Sequence, residues 1–119
     1  MEKMSREPLL KLAMQYFMKR GYVINKNQMK DSNEEQSSDK KVDLIVKRGN
    51  EIYPVWIKEW NRTVGVNVII NIDKLAQNMG FTTPIIIAEK FSEHAKAYAN
   101  RKGIRLLTRL DLIRGLKAF

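Results

Sequence analysis

No cysteine occurs in the 119 residues, and histidine occurs once, at His94. Disulfides and thiolate metal sites are therefore excluded, and a zinc site would be short of ligands. No apolar run approaches the roughly 20 residues of a membrane span, and no signal-peptide pattern opens the chain. A cytoplasmic protein with no membrane partner is the expectation. Low-complexity composition is also missing: 44% hydrophobic and 29% charged residues suit a folded globular chain. The length fits one domain over 1–119 and leaves no room for two.

Acidic residues are scarce, 13 against 22 Lys plus Arg, giving a net charge of +9. Such a basic protein suits a polyanionic partner, because each neutralised phosphate releases counterions. A solubilising surface is the plainer alternative. The excess is strongest at the end: after Glu89 come Lys90, Lys96, Arg101, Lys102, Arg105, Arg109, Arg114 and Lys117, against only Glu93 and Asp111.

The stretch Lys41 to Trp60 organises the rest. Val42, Leu44 and Val46 alternate with Asp43, Ile45 and Lys47, as in a half-buried strand. Arg48, Gly49 and Asn50 make a reversal, and Glu51 to Lys58 form a second strand with Trp56 and Lys58 on one face. Asp43 would stand across from that pair. Glu59 falls on the opposite face unless a bulge re-aims it. Pro54 interrupts this second strand, which requires an edge or a bulge at that point.

The other elements follow from spacing. Glu7 to Arg20 is a helix with Leu9, Leu12, Ala13, Tyr16 and Phe17 inward, Ser5 as N-cap and Gly21 as stop. Tyr22 to Ile24 is a short strand. Residues 25–40 are polar, acidic and without period, hence a mobile loop. A helix from Val64 or Val66 ends at Gly80, with Ile69, Ile72, Ala76 and Met79 inward. Pro84 to Ala88 is an apolar run, as in a parallel strand covered on both faces. Ser92 caps a helix that stops at Gly103, Ile104 to Leu107 is a strand, and Thr108 with Asp111 opens a last helix as a capping box. Alternating strands and helices predict a parallel unit joined to the hairpin.

An Asp on one strand followed by an acid-x-Lys on the next resembles the PD-(D/E)XK nuclease superfamily, in its Mrr-like and archaeal Holliday junction resolvase-like branch. The segments KEWNRTVG and FSEHAKAYANRKGIRLLTRLDLIRGL are similar to those flanking and closing Mrr-like domains. The resemblance implies an α/β fold, a restriction-endonuclease-like three-layer αβα sandwich with a mixed sheet of about five strands. It implies Asp43 and Lys58 as catalytic residues, with Asp43 as metal ligand. Trp56 stands where the family carries a second acid or Gln, and an indole ligates nothing. Glu59 and Glu7 are the substitutes to consider.

Three functions stay open. One is a DNA-binding nuclease-fold protein with an impaired metal site, using Arg62, Trp60 and Lys58 on the phosphate backbone or on a base. Another is an active Mg2+-dependent endodeoxyribonuclease with a migrated carboxylate; without activity no cofactor is needed. The third is a non-catalytic homodimer or scaffold subunit. Trp60 serves equally well as a rim residue covering the sheet, and Asp43 with Lys58 as an ordinary ion pair.

Overall fold

A computed structural model describes residues 7–26, 42–81 and 83–117. The elements run α1 (Leu9–Lys19), β1 (Val23–Lys26), β2 (Leu44–Arg48), β3 (Glu51–Lys58), α2 (Val66–Asn78), β4 (Ile85–Ala88), α3 (Glu93–Lys102), β5 (Arg105–Thr108) and α4 (Arg109–Lys117). One five-stranded sheet has the order β1-β2-β3-β4-β5. The first three strands form an antiparallel meander, and β3, β4 and β5 are parallel. The expected mixed sheet and three layers are present.

Period-two burial divides the core. Leu44, Val46, Val55, Ile85, Ile87 and Leu107 pack with α1 and α4 on one face. Trp56, Ile86 and Ala88 pack with α2 and α3 on the other. In β4 both sets are fully covered, as a continuous apolar run requires. Each isoleucine buried there contributes about 1.5–3 kcal/mol.

Helix α1 buries Leu9, Leu12, Ala13, Tyr16 and Phe17, as the spacing predicts. It ends where Gly21 takes φ 86°, a left-handed value that a side chain would strain. The amide of Tyr22 then returns to Phe17 O at 3.0 Å. Pro8 occupies the N-cap position; the Ser5 expected there lies outside the described residues. Strand β1 begins and ends later than the expected Tyr22 to Ile24. Most of the expected loop at 25–40 is outside the described residues, while Asn25 and Lys26 belong to β1.

Two other expectations hold in detail. Ser92 Oγ accepts the Ala95 amide at 3.0 Å. Thr108 and Asp111 exchange bonds, the Thr108 amide to Asp111 Oδ2 at 2.9 Å and the Asp111 amide to Thr108 Oγ1 at 3.1 Å. Pro54 resolves as an edge position on one side of β3. It pairs with Ile45 of β2, but β3–β4 pairing starts one residue later, at Val55 with Ile85. Its missing N–H therefore falls outside the parallel ladder.

The first and last helices meet closely. A Cβ on Gly115 would overlap the Tyr16 ring. Lys19 Nζ donates to Leu116 O at 2.8 Å, fixing the ends of α1 and α4 together.

Candidate functional site

Asp43 stands at the entrance to β2, where the alternation fails. Val42 packs in the α2/α3 core, whereas Leu44, two residues on, packs in the α1/α4 core. A regular strand would put both on one face, so the chain slips by one residue between them. The Asp43 amide donates to Val55 O at 3.0 Å, although Val55 is the register partner of Leu44. Two residues thus oppose one, the pattern of a β-bulge. This corrects the simple alternation expected from Val42 to Lys47.

The bulge keeps the Asp43 carboxylate at the strand edge. Its Oδ2 accepts the Ile57 amide at 2.7 Å, so the side chain replaces a main-chain acceptor in the ladder. Charge-assisted bonds of this length are the stronger kind. Asp43 is nevertheless exposed, so the second oxygen remains near solvent.

Trp56 is fully buried among the apolar residues of α2 and α3. Lys58, two residues later on the same face, is only 5% exposed. Its Nζ lies 5.4 Å from the Trp60 ring centroid, and Arg62 Cζ lies 4.2 Å from the same ring. Trp60 is half-buried and packs against the α2/α3 core, so it covers the sheet and carries two cations at once. The loop that follows is anchored by Val64, whose amide donates to Lys90 O at 2.9 Å while its carbonyl accepts the Ser92 amide at 3.0 Å. Val64 is therefore set beside the start of α3.

Glu59 turns toward α1, as a regular strand end predicts. Its Oε2 accepts the Leu9 amide at 2.7 Å, and Arg109 Nη2 lies 4.0 Å away. Arg109 is the hub of this side. Its Nε and Nη2 grip Glu89 at 2.7–3.1 Å, and its Nη1 donates to Glu7 O at 2.7 Å. The hydrogen bonds to Glu89 hold the guanidinium pKa above its ordinary value. The Glu7 carboxylate itself faces Lys11 at 4.0 Å.

Sequence reasoning counted Arg109 only as a basic residue and passed over Glu89. The one available signal was position. Glu59, Glu89 and Arg109 each come directly after a parallel strand, at the carboxyl ends where α/β sheets gather polar groups. A separate groove of about 650 Å³ lies along α2 and α3, lined in part by Ile70, His94 and Tyr98. None of Asp43, Trp56, Lys58, Glu59 and Trp60 lines it.

The family model for restriction endonucleases, Mrr_cat, matches residues 1–116. The chain belongs to the Mrr_cat restriction endonuclease family. Nucleases of this Mrr_cat group typically depend on a divalent metal. Among solved structures, AF1548, a protein of unknown function, is 25% identical, with a TM-score of 0.61 over 82% of this chain and 58% of its own. A repair endonuclease from Pyrococcus abyssi is 17% identical, with a TM-score of 0.53 over 91% of this chain and 48% of its own; it shares the fold. The chain thus spans about half of the solved chains it resembles. No curated protein is a significant sequence match.

The donor set of this Mrr_cat domain does not fit a two-carboxylate magnesium site. Asp43 supplies one carboxylate, already bonded to Ile57 N–H. Trp56 supplies none. Glu59 is engaged by Leu9 and faces Arg109, a cation that opposes a second one. Among the described residues, no group of three His, Asp or Glu side chains could hold a metal.

Proposed function

We propose that this chain is a DNA-binding member of the restriction endonuclease family whose metal-dependent chemistry is impaired. The observation that carries this reading is Trp56, buried at 0% exposure two residues before Lys58, where the sequence resemblance would put the family's second acid. A fully buried indole can neither ligate a cation nor swing aside without opening the α2/α3 core.

What remains at the site is suited to holding a phosphate backbone. Lys58 supplies a cation at the floor, and Arg62 is exposed and stacked on Trp60, which limits the conformations the guanidinium loses on binding. Such contacts position DNA without reading sequence. Asp43 then serves the backbone of β3 more than it serves a metal.

The test is cleavage and retardation of labelled branched and linear DNA, with magnesium or manganese, for the native protein and Asp43→Ala. DNA retarded but uncut by both is the expected result, with affinity falling as salt rises. Metal-dependent products from the native protein that vanish in Asp43→Ala would overturn the reading. An active endonuclease with a migrated carboxylate would then replace it.

A further inference from the structure

Among the described residues, positive charge gathers away from the Asp43–Lys58 end of the sheet. Around the carboxyl ends of β3 and β4, Lys58, Arg62 and Lys90 are matched by Asp43, Glu59, Glu89 and Glu93. Arg109 there is bound to Glu89. The opposite end, where α1 finishes and the β2–β3 hairpin turns, has a different balance. Residues 8–26 contain no Asp or Glu at all.

Three arginines from three elements converge there on tyrosines. Arg20, just past α1, lies over Tyr16 with Cζ 4.1 Å from the ring centroid. Arg48, at the end of β2, lies over Tyr22 at 4.5 Å. Arg105, at the start of β5, lies over Tyr53 at 6.0 Å. The rings run in one contiguous chain, edge to face from Tyr16 to Phe17 at 5.3 Å and from Phe17 to Tyr22 at 5.4 Å, then tilted from Tyr22 to Tyr53 at 6.5 Å. Arg48 Nη1 also donates to Arg20 O at 2.9 Å, which ties two of the three together. Glu51, 3.7 Å from Arg48, is the carboxylate at this turn. Lys19, bonded to Leu116 O, brings the end of α4 and Lys117 alongside.

A guanidinium lying over a ring keeps its N–H donors at the rim of its own plane, where they can meet an anion. Stacking also removes rotamer freedom before any ligand arrives, so less is lost on binding. A merely solubilising surface would need neither the shared aromatic cluster nor the convergence of three separate elements.

We propose that the Arg20–Arg48–Arg105 face is a second contact surface for the phosphate backbone of duplex DNA, distinct from the Asp43–Lys58 end. The proposal rests on the reading that this chain binds DNA. Tyr53 and Lys58 are five residues apart on one strand, about 17 Å at roughly 3.3 Å per residue. They also belong to opposite faces, Tyr53 packing with α1 and α4 while Lys58 shares the face of Trp56. One protein can therefore hold a duplex by its hairpin end and leave the Asp43–Lys58 end for another segment.

The experiment is fluorescence anisotropy of a labelled linear duplex across a salt series, using the whole chain. Variants are the triple R20Q/R48Q/R105Q and the site-end double R62Q/K90Q. The triple variant should bind at least tenfold more weakly, with a salt slope shallower by about 2–3, near 0.9 per lost phosphate contact. If only the site-end variant loses affinity and slope, the second surface is wrong while DNA binding stands. If the native protein binds no duplex, both readings fall.

Circular dichroism checks that the triple variant folds. Should it not, lysine acetylation of the native protein with and without duplex gives the answer by mass spectrometry. Protection of Lys19 and Lys117, with Lys74 unchanged, supports the surface; protection of Lys90 without Lys19 and Lys117 overturns it. Binding to phosphatidylserine vesicles that duplex does not compete away would also overturn it.

Discussion

The Glu59 carboxylate accepts the Leu9 amide at 2.7 Å across 50 residues of sequence. Helix α1 has no side-chain cap of its own at Pro8 and no acid in its first turn. Its orphan N–H groups and positive dipole end are answered from the end of β3 instead. Glu59→Ala should therefore destabilise the protein by about 0.5–1 kcal/mol, since the side chain is partly exposed, and Glu59→Gln by less. Urea denaturation checks both. DNA binding should be unchanged in either variant.

Trp56 is a core residue first. Trp56→Ala should cost about 3–5 kcal/mol through the cavity it leaves under α2. Trp56→Phe should cost clearly less. Trp56→Glu should fail to confer magnesium-dependent cleavage, because the new carboxylate replaces core packing and must enter an apolar layer uncharged or unfold it. Denaturation midpoints paired with cleavage assays decide this.

Tyr98 gives the stability a pH dependence. Its hydroxyl donates to Asp73 Oδ2 at 3.1 Å, and Asp73 is buried with Gln77 as a further donor. Burial first, and then the bond to Asp73, raise the Tyr98 pKa above its ordinary value. The neutral form is thus favoured on folding, and this contribution is complete below about pH 10 and lost as pH rises through the folded value. Unfolding midpoints between about pH 8 and 11 should fall more steeply for the native protein than for Tyr98→Phe. At neutral pH that variant should be less stable by about 1–2 kcal/mol, because a buried carboxylate loses a donor.

Magnesium should not stabilise the fold. A ligand that binds only the native state stabilises it by RT ln(1 + [L]/Kd) and so raises the melting temperature. Thermal melts with and without millimolar magnesium should coincide, and those of Asp43→Ala should respond identically. A magnesium-dependent rise in the native protein alone would mean Asp43 holds the ion.

Local chemistry made most of the fold legible from residues alone. The inward positions of α1, the run Ile85 to Ala88, the Ser92 cap and the Thr108–Asp111 box each depend on neighbours within a few residues. The site was legible only as positions on strands. The bulge at Asp43 arises because Val42 enters the core opposite to that of Leu44, a choice made by tertiary packing. Glu59 to Leu9, Arg109 to Glu89 and Arg109 to Glu7 span 50, 20 and 102 residues, so no local pattern announces them. The arginine–tyrosine stacks escaped for the same reason, since charge counts carry no geometry.

The contact between Gly115 and Tyr16 has a consequence for how the chain matures. The apolar stripe of α1 is synthesised well before the helix that packs beside it, which is made from residues 109–117. During translation that stripe waits with one flank bare, exposed to chaperones or to other nascent chains. A side chain at Gly115 would prolong that wait, and its first symptom would be lost soluble yield.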